Sequence, residues 1–359
     1  MKRFLPLILV ICLLLCACGK TEEETTPATT ESTEMTVEST RETKKVPETT
    51  QETVATEPVD VNPLTGEALE EENNCRPFAI MLNNKDVSLP HCGVGEADLL
   101  YETLVEGAIT RCMAVFSDPE NAGAIGSIRS ARPPFISLVQ CYDAIYSSAS
   151  GADNVLGMIR QSGVDYMNAL YDNPYFYRDS YRKNYVGYEH SLFVTGEGLK
   201  SYAEDFGYRT TREREDFGFH FDDSKPFSGE PVETIKLWFQ SGGKSTTVNY
   251  DEDKGVFYLN QYGMDYVDGN TNELVPFRNI FILYCNSYTM DNGVHVQVES
   301  VGEGKGYYAR DGKIVPILWS RESEDAPFVY TLEDGTELTM GVGKSYFALI
   351  DKNSDVIYE

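Results

Sequence analysis

The segment Asp98-Leu-Leu-Tyr-Glu-Thr-Leu-Val-Glu-Gly-Ala-Ile-Thr-Arg-Cys-Met-Ala-Val-Phe116 holds two apolar runs, 98–105 and 109–116, on either side of a Glu106-Gly107 turn. Both runs read as strands. Upstream, 78–82 (Phe-Ala-Ile-Met-Leu) is another strand. Downstream, Pro133-Pro134 opens a helix through about Tyr142, because proline suits the first helical turn. Residues 143–148 read as a strand and 152–161 as a helix closed by Gly163. Residues 190–194 are a strand, and Thr195 with Glu197-Gly198 starts a helix that ends at Gly207. Such alternation defines an α/β domain over residues 59–225. Beyond about residue 230 the helix signals vanish. Residues 234–239, 255–259, 280–285, 294–301, 307–309, 314–319 and 345–350 are strand-like, Asp311-Gly312 marks a hairpin and Asp334-Gly335 a turn. The fold class expected is α+β: the α/β domain, then a mainly antiparallel β domain at 226–359.

The N-terminus carries a different signal. Lys2 and Arg3 precede an apolar run, 4–15, too short to span a bilayer but suited to a signal peptide, residues 1–17. The run ends in Leu15-Cys16-Ala17-Cys18, which looks like the lipobox of bacterial lipoproteins. That resemblance makes Cys18 the acylated residue, and two or more acyl chains anchor a protein stably. Residues 21–58 hold 13 Thr and 10 Glu against three basic residues and no aromatics. Such a stretch cannot bury enough apolar surface to offset its ordering entropy, so 18–58 reads as a lipidated cysteine plus a disordered stalk. As a coil it would reach roughly 35 Å. The chain is thereby expected on the extracytoplasmic face of the cell membrane, held by lipid.

The formal charge is −27; taking out +3 for residues 1–20 and −7 for the stalk leaves −23 on residues 59–359. A surface of that sign repels nucleic acid and anionic headgroups, which excludes a DNA- or RNA-binding role while allowing a local basic pocket. Five cysteines follow the anchor, without zinc spacing. Cys112 and Cys141 sit in apolar contexts and read as buried thiols; Cys75 and Cys92 are close enough in sequence either to pair or to stand free.

Several motifs fail on inspection. Ser241-Gly-Gly-Lys-Ser-Thr246 resembles the end of a phosphate-binding loop, but Trp238 stands where the first glycine belongs, so it reads as a turn. Asp268-Gly-Asn270-Thr-Asn272 starts like a calcium loop but has Glu273 at the glycine position. One constellation survives: Gly126-Ser-Ile-Arg129-Ser-Ala-Arg132-Pro-Pro134 sets two arginines just before a helix start, where free N–H groups and fork-shaped guanidinium donors suit phosphate or carboxylate. Arg111 joins them as a candidate ligand-binding residue. Glu102 and Glu106 are four apart, so on an extended strand they would share a face. Acidic and basic groups together could hold a metal-bridged phosphate or simply pair. Seven tyrosines and Phe176 lie within 166–188, able either to stack on sugar rings or to pack among themselves.

Asn62-Pro-Leu-Thr-Gly66, Arg76-Pro-Phe-Ala-Ile-Met81, Ala97–Glu102, Leu104–Gly107, Ile109-Thr-Arg111 and Arg129–Pro133 closely resemble the YerB-like lipoproteins of Gram-positive bacteria. The resemblance extends over most of 62–350, with Trp319 and Gly343-Lys344 in the β part. It implies a lipid-anchored surface protein with a two-part domain and no assigned reaction. Glu102, Glu106, Arg111, Arg129, Arg132 and His190 fall in its motif segments. Ser127 and Val342 stand where that family has proline, and Glu189-His190-Ser191 where Pro-His-Asn is usual. Three functions follow as expectations. The first is binding of an anionic cell-wall component or an envelope protein through the arginines. The second is a metal-assisted enzyme on phosphorylated or glycan wall precursors, with Glu102, Glu106 and His190 as catalytic groups and a divalent cation as cofactor. The third is a scaffold docking through the β domain.

Overall fold

The computed structural model describes residues 60–359, Asp172 apart. Cys18 and the stalk lie outside the described residues. The chain is mainly β, and the four α-helices among the described residues all lie between Pro133 and Asp205. Strands used below are β1 (Phe78–Asn83), β2 (Leu99–Glu106), β3 (Ile109–Phe116), β4 (Ala124–Gly126), β5 (Ile145–Ser148), β6 (Tyr166–Asn168), β7 (Tyr177–Arg178) and β8 (Leu192–Thr195). They continue as β9 (Thr234–Trp238), β10 (Ser245–Asp251), β11 (Val256–Gln261), β12 (Asn279–Cys285), β13 (Gly302–Arg310), β14 (Lys313–Arg321) and β15 (Ser345–Asp351). The helices are α1 (Pro133–Cys141), α2 (Asp153–Ser162), α3 (Ser180–Tyr185) and α4 (Gly196–Asp205).

One sheet of 11 strands runs β14-β13-β12-β15-β2-β3-β1-β5-β6 along its main path, with short strands added on β14. β15 lies parallel to both β12 and β2, so the sheet passes without a break from one side of residue 225 to the other. That insertion buries the sheet centre on both faces, which explains the unbroken apolar runs in β1, β2, β3 and β15. One face carries a stack of rings across three neighbouring strands, Tyr101 on Phe347 and Phe347 on Phe281, each at 4.5 Å between centroids. α1 lies over β2 on this side. Buried Arg321 ties α1 to β14, its guanidinium donating to the Ser137 carbonyl at 2.7 Å and to the Ser137 hydroxyl at 3.0 Å.

Local chemistry sets the element ends. Pro133 and Pro134 occupy the first turn of α1, and α2 stops at Gly163, whose φ of 72° is left-handed. Asp311 and Gly312, with φ of 53° and 64°, make the two-residue turn between β13 and β14. A second, six-stranded sheet is built around β11-β10-β9. Residues 241–243 form the turn between β9 and β10, while β10 itself, a polar strand, gives little signal in the sequence. The third sheet is β4-β8-β7. Cys75 and Cys92 are free thiols: Cys75 bridges to Thr211 and Cys92 to Gly126, each pinned in a different place. Asp268 is a buried turn carboxylate accepting from the backbone N–H of Gly95 and Asn270, both at 2.6 Å, rather than a calcium ligand. No helix among the described residues is long and apolar enough to cross a membrane.

Candidate functional site

The two carboxylates expected to act together lie apart. Register between β2 and β3 shifts by one residue between Leu104 and Glu106, a β-bulge. Because strand side chains alternate, one inserted residue sends Glu106 to the face opposite Glu102. Glu102, fully buried, turns toward the six-stranded sheet and forms an ion pair with Lys244, the first residue after the 241–243 turn. Around this pair Thr110 and Tyr346 hydroxyls each donate to the carboxylate at 2.7 Å, and the Asn84 amide donates at 2.8 Å. Lys244 also donates to Thr246 at 2.8 Å and Gln261 at 2.7 Å. Every lone pair and proton of the pair thus has a protein partner, which leaves Glu102 no vacancy for chemistry. Its role as a catalytic group with Glu106, expected from a shared face, is corrected by the bulge.

Glu106 instead meets the arginines. Its carboxylate pairs with Arg132, the residue preceding α1, and with Arg111 on β3 at 3.9 Å. Arg111 and Arg132 are nearly buried, while Glu106 keeps about a quarter of its side chain exposed. Arg111 also donates to the Ser130 carbonyl and Arg132 to the Ala131 carbonyl, so the loop into α1 is clamped to the sheet. Burial opposes ionisation of Glu106, but Arg132 and Arg111 outweigh it and hold the carboxyl below its usual range. Burial, with Arg132 beside it, holds the Arg111 guanidinium below its ordinary value. The Arg132 Nε and the Tyr146 hydroxyl, which lies within the field of both arginines, are buried without a hydrogen-bond partner among the described residues. His295 closes the cluster from a backbone bridge to Glu106, its ring's pKa held below the ordinary value by burial and by Arg132.

Arg129 sits two residues beyond Ser127 in the loop that crosses the ends of β1 and β5; its backbone N–H donates to Met81 at 2.9 Å and its carbonyl accepts from Ala149 at 2.9 Å. The half-buried guanidinium has no hydrogen bond or ion pair among the described residues. Its ionisation is disfavoured first by burial and, among neighbouring charges, by Arg132 and Arg178, against Glu189 and Glu106. His190 is next: the Asn83 amide donates to its Nδ1 at 2.6 Å, which leaves the proton on Nε2, 3.7 Å from Glu189. Burial and the positive charge of Arg129 hold this ring's pKa below its ordinary value, against Glu189. Asn83 stands opposite Arg111 in the β1–β3 register, so the histidine reaches the arginine face. The structure therefore brings together Arg111, Arg129, Arg132, Glu106 and His190 and removes Glu102. Sequence reading missed Tyr146 and His295, which lack a motif, and set Lys244 aside with the 241–246 string as a turn. Among the described residues no three His, Cys, Asp or Glu side chains converge in a way that could hold a metal ion.

Two family profiles match the chain, both described as protein of unknown function (DUF3048): its N-terminal domain over residues 64–209 and its C-terminal domain over 235–347. A Bacillus subtilis (strain 168) protein named "Putative lipoprotein YerB" is 27% identical over 294 residues, 80% of this chain and 85% of that protein. The crystal structure of YerB protein from Bacillus subtilis superposes with a TM-score of 0.72 at 25% identity, covering 83% of this chain and 99% of that one.

Proposed function

This chain belongs to the YerB-like, two-part family of proteins of unknown function (DUF3048), and from that premise we propose that it is a lipid-anchored envelope protein that binds an anion at the Arg111–Arg129–Arg132 cluster. The lipobox-like string at Cys18 and the relative's name support the anchor and an extracytoplasmic position. One observation carries the binding reading: Arg111 and Arg132 share the single carboxylate of Glu106, and the Arg129 guanidinium beside them has no hydrogen bond or ion pair among the described residues. Excess positive charge in a partly desolvated site favours an anion, most of all phosphate or carboxylate, which guanidinium forks grip bidentately. The metal-assisted enzyme loses Glu102 to the buried pair with Lys244, and what remains beside the arginines, Glu106 and His190, suits holding an anion more than activating water.

Calorimetric titration of residues 59–359 with inorganic pyrophosphate and polyphosphate, with and without magnesium, tests this. Saturable binding is expected without magnesium. Arg129→Ala should abolish it without changing the melting temperature of the free protein, because that guanidinium has no hydrogen bond or ion pair among the described residues. Arg132→Ala should both weaken binding and lower the melting temperature, since it strips Glu106 of its closest counter-charge. Heats of dilution alone, or equal binding by wild type and Arg129→Ala, would remove the site.

A further inference from the structure

Beside the arginine cluster lies a group of exposed aromatic rings that no internal packing explains. Tyr181 and Tyr185, one turn apart on α3, are 65% and 77% exposed, and Tyr188 is 59% exposed. The Tyr181 and Tyr185 rings stand 5.2 Å apart between centroids. Arg178 lies over the Tyr188 ring at 4.0 Å and donates to the Tyr188 carbonyl at 2.7 Å, fixing the ring against the end of β7. The Gly187 N–H donates to the Arg182 carbonyl at 2.8 Å, so α3 runs directly into the turn that carries Tyr188, and just beyond that turn the Leu192 carbonyl accepts from the Ile128 N–H at 2.8 Å. This backbone pairing sets the rings beside the loop that carries Arg129.

Single exposed apolar residues are normal on a protein surface, whereas Tyr181, Tyr185 and Tyr188 gather three exposed rings in one short stretch, the kind of patch that marks a binding site. Here the short helix α3 contributes no buried residue, so its rings are presented to solvent by the fold. Flat, partly polar rings next to guanidiniums match a ligand with apolar C–H faces, hydroxyls and negative charge. A sugar ring carrying phosphate or carboxylate has all three. An acidic peptide has the charge without the flat apolar faces. Resting on the anion-site reading above, we propose that the ligand is an anionic saccharide polymer, its charged substituent at Arg129 and its neighbouring sugar rings stacked on Tyr181, Tyr185 and Tyr188.

The test titrates residues 59–359 with phosphorylated mannan oligosaccharide, the same oligosaccharide dephosphorylated, oligogalacturonate, polyglutamate of matched charge, and inorganic pyrophosphate. A phosphorylated or a carboxylated sugar oligomer should bind at least about tenfold more tightly than pyrophosphate or polyglutamate, a factor corresponding to one or two stacked rings. Which of the two binds better identifies the charged group. Tyr181→Ala/Tyr185→Ala should lose that factor while binding pyrophosphate as wild type does, and Tyr181→Phe/Tyr185→Phe should keep it. Pyrophosphate binding that depends on Arg129, with no gain for any sugar, overturns the saccharide and leaves the anion site standing. Polyglutamate binding as tightly as the sugars, or alanine and phenylalanine variants binding alike, also overturns it. Failure of every anion removes both readings together.

Discussion

Lys244→Met isolates the consequence of placing Glu102 in the core. The carboxylate is fully buried, and its only cation among the described residues is Lys244, whose own side chain is 5% exposed. Removing one member of a buried ion pair leaves a charge that neither water nor protein neutralises, at a typical cost of about 3–5 kcal/mol. The remaining donors, Asn84, Thr110 and Tyr346, soften this but supply no charge. Changing Glu102 to Gln in the same chain removes the stranded charge and keeps an acceptor for those donors. The double variant Glu102→Gln/Lys244→Met should therefore recover about 2 kcal/mol relative to the sum of the single changes, within the range seen for directly coupled residues. Urea unfolding of the four proteins, followed by linear extrapolation, measures each term. Pyrophosphate affinity of Lys244→Met should match wild type, because the arginines lie on the other face of the bulged strand. A cost below about 1 kcal/mol for Lys244→Met, or additivity across the cycle, would refute the buried pair. A Lys244→Met protein that stays fully stable but loses ligand binding would return Glu102 to the functional site.

Two further outcomes follow from charges at fixed places. Glu106→Gln should destabilise the protein by about 1–3 kcal/mol at neutral pH by leaving Arg111 and Arg132 without a counter-charge, yet tighten pyrophosphate binding. The wild-type carboxyl is held below its unfolded value of 4.5, so its stabilising contribution is present above pH 4.5 and is lost as pH falls through the lower folded value; urea midpoints should show that acid limb in wild type and not in Glu106→Gln. His91, fully buried against Tyr266 with its Nδ1 2.8 Å from the phenol oxygen, is pushed by burial down to about 4 from 6.5. The unfolded ring takes up its proton first, so stability should fall between pH 6.5 and about 4, by about 3 kcal/mol at the lower end. His91→Gln should flatten that slope whatever its effect at pH 7, and an unchanged slope would place the acid sensitivity elsewhere.

The legible parts of this protein were local ones. Phe78–Leu82, Ile109–Phe116 and the Pro133-Pro134 start of α1 were readable because a buried strand or a helix end is encoded within a few neighbouring residues. Asp311-Gly312 and Gly163 were readable because left-handed backbone restricts the residues that fit. The order of the large sheet was not readable, since β15 enters between β12 and β2, pairing with β2 across 246 residues of chain in a way that leaves no local trace. β10 escaped because a strand of Ser-Thr-Thr-Val-Asn-Tyr-Asp has too few apolar positions to show its period.

The same distinction separates the two acidic candidates. Arg129 and Arg132 lie three residues apart on one loop, and Arg111 and Glu106 flank one hairpin, so their convergence needs only the docking of two neighbouring pieces of chain. Glu102 finds its partner 142 residues away, in a segment whose Gly-Gly-Lys-Ser string suggested phosphate. What decided its fate was a single extra residue between Leu104 and Glu106. A strand pattern read at period two carries parity forward until something interrupts it, and nothing in Leu-Val-Glu marks an interruption. Glu102 faces the second sheet, and the bulge turns Glu106 to the other face, where its carboxylate pairs with Arg111 and Arg132. With both carboxylates on one face, as a regular strand would place them, the arginine cluster would carry one more negative charge; the net positive charge on which the proposed anion site depends therefore follows from the bulge.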